Sequence, residues 1–154
     1  MKLTESAIKR HRKLFDFSKR LVGGSLIKKF AFTYEPPEAL PAPFIAVANH
    51  NCDMDPFLMG ISMPQMYFVA SEHIFQHPLF AAALVYVYSP IARKKGSVDA
   101  STVLEMRRRL KQGCNICIFP EGNKSLDGRT GSLHENTGKL SMLSNDMTHQ
   151  SKKK

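Results

Sequence analysis

The chain has 154 residues, of which 43% are apolar and 23% charged, a composition typical of a single globular domain. This composition excludes a largely disordered protein. The longest uninterrupted apolar run, residues 79–88, has about half the length that a membrane-spanning helix needs. The net charge of +9 is concentrated at the ends: residues 1–30 hold nine bases and two acids, residues 31–151 hold ten and eleven, and three lysines follow.

Residues 5–22 have the period of an amphipathic helix, with Gly23-Gly24 as its predicted end. Lysines and arginines dominate one half of its circumference, and the other half is formed by Leu3, Ala7, Ile8, Leu14, Phe15, Phe17, Leu21 and Val22. This apolar half would pack on the domain, enter a membrane interface, or do both. A basic arm also suits nucleic acid, but the chain lacks a reading-head motif and a basic face on its body, so we expect no nucleic acid partner.

Beyond a proline-rich stretch, short apolar runs alternate with segments of helical period. We predict strands and helices in this order: strand 44–48, helix 56–61, strand 66–70, helix 74–84, strand 86–92, helix 99–112 closed by Gly113, strand 115–119 and helix 136–143. Such alternation indicates an α/β fold with a mostly parallel sheet flanked by helices, here preceded by the basic amphipathic N-terminal helix. Functional groups of such sheets gather in the loops beyond the carboxyl ends of the strands.

The loop after the first predicted strand carries His50 and, five residues later, Asp55. If the loop folds back, Asp55 can hold one ring nitrogen of His50 and leave the other free as a general base. No serine or cysteine is well placed as a nucleophile, so the pair suits activation of a substrate hydroxyl. Three alternatives remain open: Asp55 as the N-cap of the next helix, Asp53 as the partner of His50, and a metal site that includes Cys52.

Two further loops carry charge at predicted strand ends. Glu121, Gly122 and Lys124 follow the fourth strand, where they could bind a hydroxyl and a phosphate or form an ordinary polar turn. Arg93 begins a basic cluster after the third strand, which suits a phosphate-bearing ligand or a solvated turn.

Together, Asn49-His50-x-x-x-x-Asp55, then Arg93, then Phe119-Pro120-Glu121-Gly122-x-Lys124-Ser125 resemble the glycerolipid acyltransferase family, in particular its 1-acyl-glycerol-3-phosphate acyltransferases. The resemblance implies that His50 deprotonates an acceptor hydroxyl, that Asp55 orients the imidazole, and that Arg93, Glu121 and Gly122 bind the phosphorylated acceptor. Lys124 stands where the family commonly has arginine, which keeps the charge but loses the bidentate geometry.

The resemblance also implies the partners and the location. Acyl-CoA or acyl carrier protein would donate the acyl group, and a lysophosphatidate-type acceptor would become phosphatidate, with no metal and no organic cofactor. The protein would lie peripherally on the cytoplasmic face of the cell membrane and contact its anionic lipids.

The expected organisation is a membrane-docking helix at 1–30, an acyltransferase domain at 31–147 and a polar basic tail at 148–154. The family continues beyond the helix after F-P-E-G with a further strand, for which this chain has no candidate, and we therefore expect a C-terminally shortened domain. A catalytically silent protein of the same fold that binds lipid surfaces is the alternative.

Overall fold

The described part of this computed structural model comprises residues 3–35, 40–71, 82, 85–93 and 100–120. Within it, seven elements follow one another along the chain: α1 (Glu5–Lys29), β1 (Ile45–Val47), α2 (Asp55–Ser62), β2 (Met66–Ser71), β3 (Ile91–Arg93), α3 (Ala100–Lys111) and β4 (Asn115–Ile118). Residues 82 and 85–88 are helical as well. The predicted helix 136–143 and the tail 148–154 lie outside the described residues, as does nearly all of the predicted helix 74–84.

The four strands form one sheet in the order β1-β4-β2-β3, and every neighbouring pair is parallel. Val47 is level with Ile118, and Ser71 is level with Arg93, so that the carboxyl ends of all four strands lie along one edge. The predicted α/β fold with a mostly parallel sheet is therefore confirmed. This edge is where a parallel sheet collects its functional loops.

Both faces of the sheet are covered, as parallel sheets require. On one face, α3 packs over Tyr67, Ile91 and Ile116 through Met106 and Leu110. On the other face, Phe15 of α1 packs with Met66, Phe68 and Cys117, and partly buried residues of α2 adjoin this cluster. Helices packed on both faces of the sheet therefore hold the strands in place.

The N-terminal helix is longer than the sequence predicts. It starts with Thr4, whose hydroxyl accepts a hydrogen bond from the backbone N–H of Ala7, and it runs through Gly23-Gly24 to Lys29. The predicted end at these glycines is wrong because tertiary packing outweighs their helix penalty of about 1 kcal/mol each. Gly23 is buried, and a Cβ added there would lie 3.7 Å from Ile61 of α2.

The face of α1 that packs on the domain takes up only part of the predicted apolar half, which His11 and Arg10 interrupt. His11 is 2% exposed, and its Nδ1 lies 3.3 Å from the hydroxyl of Tyr67, whereas Phe17 and Leu21 are 63% and 68% exposed. Periodicity identifies an apolar half, but it does not show which part of that half packs on the domain, and there His11 has a hydroxyl partner in Tyr67. Phe15 is buried as expected, at 3% exposure.

The predicted third strand, 86–92, is wrong in its first half, since residues 85–88 are helical and β3 begins at Ile91. A short apolar run fits a buried helix as well as a strand, and contacts decide between them. Tyr88 packs its ring edge-on against Phe15 and Phe57, which places this turn over α1 and α2. The end of α3 is confirmed: Gly113 has a φ of 74°, the left-handed conformation that closes a helix.

Candidate active site

The sheet brings the loop after β1 and the residues after β4 to the same place. β1 and β4 are hydrogen-bonded neighbours, and the N–H of Ala48 still donates to the carbonyl of Ile118 at 3.2 Å. His50 lies three residues beyond β1, and Phe119 one residue beyond β4. Two segments more than sixty residues apart in sequence therefore meet at the carboxyl edge of the sheet.

His50 and Asp55 are in direct contact. Nδ1 of His50 lies 3.0 Å from Oδ2 of Asp55, and the two side chains are 20% and 18% exposed. The loop folds back as the spacing predicts, and Asp55, not Asp53, is the partner of the imidazole. The pair is shielded yet still open to a ligand at the edge of the sheet.

Asp55 is the organising residue of this loop. Its Oδ2 accepts hydrogen bonds from the backbone N–H groups of Asn51 at 2.6 Å and Cys52 at 2.8 Å. The alternative that Asp55 is an N-cap is wrong, because Asp55 is the first residue of α2 and Met54 precedes it as the cap without a side-chain bond. The carboxylate points back into the loop, towards donors that precede the helix.

The charge state of Asp55 fixes the tautomer of His50. Burial by itself would raise the pKa of Asp55, but donors from Cys52, His50 and Asn51 outweigh it and hold the pKa below the ordinary value of 3.8. An ionised carboxylate only accepts hydrogen bonds, so Nδ1 of His50 carries the proton. The lone pair of Nε2 is then available to take a proton from a substrate.

The thiol of Cys52 completes the contacts of the carboxylate. Its Sγ donates to Oδ1 of Asp55 at 3.1 Å, on the oxygen that His50 does not contact. Burial, and next the bond to Asp55, raise the pKa of Cys52, which keeps the sulfur protonated and a donor. This contact was not among the sequence predictions, although a donor three residues before a loop carboxylate is a recognisable turn signal.

An aromatic ring covers one face of the imidazole. The rings of His50 and Phe119 are stacked with centroids 4.6 Å apart and planes inclined by 28°. In the sequence, Phe119 stands out only as part of a motif. Both residues lie within three positions of a strand end, but the sequence does not show that these two strands are neighbours in the sheet.

The structure places one of the other predicted site residues. Arg93 is the last residue of β3, which ends at the same edge of the sheet as β1 and lies three strand spacings, about 14 Å, from it. Glu121, Gly122 and Lys124 lie outside the described residues. At this edge, therefore, His50 and Asp55 are in contact, and Arg93 lies at the end of the outer strand on the other side.

The alternative of a metal site finds no support in the arrangement of the loop. Cys52 and His50 each hydrogen-bond to Asp55. In the part of the chain that the structure describes, no three or more histidine, cysteine, aspartate or glutamate side chains are grouped so as to hold a metal ion.

Comparisons with known proteins agree with this geometry. The sequence model of the acyltransferase family matches residues 31–148. A chloroplastic 1-acyl-sn-glycerol-3-phosphate acyltransferase of Arabidopsis thaliana is 27% identical over 113 residues, which are 71% of this chain and 32% of that protein. A probable 1-acyl-sn-glycerol-3-phosphate acyltransferase of Mycoplasma pneumoniae is 26% identical over 104 residues, 63% of this chain and 39% of that protein.

The fold has a solved counterpart. The crystal structure of the 1-acyl-sn-glycerophosphate acyltransferase PlsC from Thermotoga maritima superposes with a TM-score of 0.53 and 24% identity, over 71% of this chain and 41% of that one. The chain thus spans 32% to 41% of the length of these relatives. Since the family model covers most of the chain, and His50 and Asp55 stand together at the sheet edge, this protein belongs to the acyltransferase family and is similar to its 1-acyl-sn-glycerol-3-phosphate acyltransferases.

Proposed function

We propose that the protein transfers a fatty acyl group from acyl-CoA or acyl carrier protein to the free hydroxyl of 1-acyl-glycerol-3-phosphate, giving phosphatidate. The observation that carries the proposal is the 3.0 Å contact between His50 and Asp55 at the carboxyl edge of the sheet. Family membership and the names of the relatives supply the reaction class. A base without an adjacent protein nucleophile fits direct attack by a substrate hydroxyl.

In the proposed reaction, Nε2 of His50 takes the proton of the acceptor hydroxyl as its oxygen attacks the thioester carbonyl carbon. A C–O bond forms and the C–S bond breaks. The leaving thiolate then takes the proton from the imidazolium. Asp55 stabilises the positive charge on His50 between these two transfers and keeps the ring oriented, as carboxylates do in hydrolase triads.

The acceptor phosphate would bind further along the same edge, with roles for Arg93, Glu121, Gly122 and Lys124. Arg93 ends β3, whereas His50 follows β1, so an acceptor that reaches both lies across the ends of β4 and β2. In 1-acyl-glycerol-3-phosphate the free hydroxyl lies on the carbon next to the one that carries the phosphate, so the long side chain of Arg93 would extend along the edge towards His50 for one acceptor to contact both. A lysine at 124 would supply charge to the phosphate but not a bidentate contact.

The test is transfer of a labelled acyl group, measured with acyl-CoA and acyl carrier protein donors in separate arms. We expect turnover by the wild type, and a loss of about 100-fold or more in His50→Ala, because a general base contributes on the order of 100- to 10,000-fold. His11→Gln is the matched control, since it removes a histidine of α1 that is buried and contacts Tyr67. Equal turnover in wild type and His50→Ala would end the assignment.

Peripheral contact with the cytoplasmic face of an anionic membrane is a second part of the proposal. Lys13, Phe17, Leu21 and Lys28 lie on one stripe of α1, and all four are exposed. Apolar side chains flanked by bases are typical of helices that lie in a membrane interface. None of the helices in the described ranges has the length and apolarity to cross a bilayer.

Vesicle flotation tests this contact. We expect the full chain to bind vesicles of anionic lipid, and the double substitution Phe17→Ser with Leu21→Ser to weaken binding about tenfold, by loss of buried apolar area. Leu104→Ser on α3 is the control, because Leu104 is 58% exposed and lies on another helix. Equal binding by all three proteins would refute a role for α1.

A lipid-surface protein without turnover is the second candidate function, and the exposed stripe of α1 favours it independently of the site. Vesicle binding by the wild type, without acyl transfer in either donor arm, would support this candidate. Turnover that depends on His50 would eliminate it.

A further inference from the structure

Two different parts of the chain contact the imidazole ring of His50, one at its edge and one on its face. Asp55, at the start of α2, holds Nδ1 at 3.0 Å. Phe119, just beyond β4, stacks on the face of the ring with a centroid distance of 4.6 Å. The two contacts come from segments that the sheet topology brings together.

Phe119 is itself anchored in the core. Its ring is stacked on that of Phe68, with planes inclined by 10° and centroids 6.4 Å apart. Phe68 belongs to β2, is 7% exposed and packs in the same cluster as Phe15 and Cys117. A displacement of Phe119 would therefore disturb a packed interior, where neighbouring side chains leave little free space.

A single hydrogen bond does not fix the plane of an imidazole. The ring of His50 can roll about its bond to Asp55, and such a roll moves Nε2 away from an acceptor hydroxyl. The stacked ring of Phe119 removes this freedom. It also places the electron-rich face of a phenyl ring beside the positive charge that His50 gains when it takes a proton.

We propose that Phe119 is a positioning residue, which fixes the plane of the His50 imidazole and so aims Nε2 at the acceptor hydroxyl, an inference that rests on the proposed function. Phe119 acts through His50 and need not touch the reacting atoms. Through the stacked rings of His50, Phe119 and Phe68, the loop after β1 is thus packed against the centre of the sheet.

The kinetic test replaces the flat ring while keeping apolar volume, with Phe119→Leu and Phe119→Met, and restores a ring with Phe119→Tyr and Phe119→Trp. We expect kcat of the first pair to fall about tenfold with little change in KM, because misplacing a reacting group by about 1 Å costs up to roughly 100-fold. At least one aromatic variant should recover most of the wild-type kcat. Phe15→Leu is the matched control, since it removes a ring from the same core cluster without a contact to His50.

A wild-type kcat in Phe119→Leu, or an equal loss in the aliphatic and aromatic variants, would overturn the proposal. So would a kcat loss in Phe15→Leu as large as that in Phe119→Leu, because the effect would then follow from the core in general.

NMR of histidine-labelled protein separates this proposal from the proposed function. In the wild type we expect one tautomer of His50, protonated at Nδ1, with ring-proton signals shifted by the stacked phenyl ring. Phe119→Leu should lose the ring-current shift and show averaged tautomers, while Phe15→Leu should keep both signatures. Absence of acyl transfer by the wild type would refute the function alone, whereas unchanged His50 signals in Phe119→Leu would refute the positioning role.

Discussion

Sγ of Cys52 lies 3.1 Å from Oδ1 of Asp55, on the carboxylate oxygen opposite the one that holds His50. The contact occupies the second oxygen with a donor and prevents the carboxylate from rotating. Cys52 thus supports the geometry of the pair although its sulfur takes no part in the proposed chemistry.

Substitutions of Cys52 should therefore show whether its thiol acts as a hydrogen-bond donor or only fills space. Cys52→Ser keeps a donor, and we expect a kcat close to that of the wild type. Cys52→Ala removes it, and we expect kcat to fall about threefold to tenfold, since an unmet hydrogen bond to a charged group costs on the order of 1.5 kcal/mol. Acyl transfer under saturating substrate is the measurement, and equal rates in the two variants would contradict the role of the thiol.

The pKa of Asp55 predicts a loss of stability in acid. Because donors outweigh burial and hold the native pKa below 3.8, the unfolded chain binds the proton first. The contribution of Asp55 is complete above the unfolded value and is lost as pH falls through the lowered native pKa. We expect the free energy of unfolding of the wild type to decrease more steeply than that of Asp55→Asn over this acidic range. Parallel curves from denaturant titrations would show that folding does not lower the pKa of Asp55.

His11 predicts a second pH dependence, at a higher pH. Burial, followed by the charges of Arg10 and Arg109, lowers the pKa of His11 below its ordinary 6.5. The unfolded chain then binds a proton below about pH 6.5 that the folded chain does not, so stability falls as pH decreases from there. In His11→Gln this component should vanish, and the unfolding free energy should be flatter just below pH 6.5. A slope identical to that of the wild type would contradict the burial of a neutral imidazole.

The glycines of α1 and α2 predict stability changes of opposite sign. Nothing lies within 4 Å of a Cβ added to Gly24, so Gly24→Ala should raise the free energy of unfolding by about 0.5–1 kcal/mol through helix propensity. A Cβ at Gly60 would lie 3.2 Å from Cζ of Phe15, which is 3% exposed and held by Tyr88. Gly60→Ala should therefore lower the free energy of unfolding by about 1–3 kcal/mol through overpacking.

The crowding at Gly60 can be tested by relieving it. In a Phe15→Leu background, Gly60→Ala should cost less than in the wild type, because the atom that it crowds is gone. Additive effects of the two substitutions, measured by chemical unfolding, would indicate that Phe15 does not set the cost at Gly60.

The sequence predicted those features that depend on local pattern. The runs at 66–70 and 115–119 fall on β2 and β4, the helix 99–112 ends at Gly113, and the four residues between His50 and Asp55 allow the loop to close. Where contacts from distant elements decide, prediction failed. Residues 85–88 are helical because Tyr88 packs on Phe15 and Phe57, and α1 continues through Gly23-Gly24 because Gly23 is buried against α2.

What the sequence alone determined is the α/β alternation, which follows from periodicity, and that His50 could pair with a nearby carboxylate, which follows from the reach of a short loop. The choice of Asp55 over Asp53 came from the structure. Only the tertiary structure decided that β1 and β4 are neighbours, and hence that Phe119 stacks on His50. Strand order depends on how the whole chain buries its apolar faces, and no local stretch of residues encodes it. The same holds for His11, whose burial depends on the hydroxyl that Tyr67 offers from a strand fifty-six residues away.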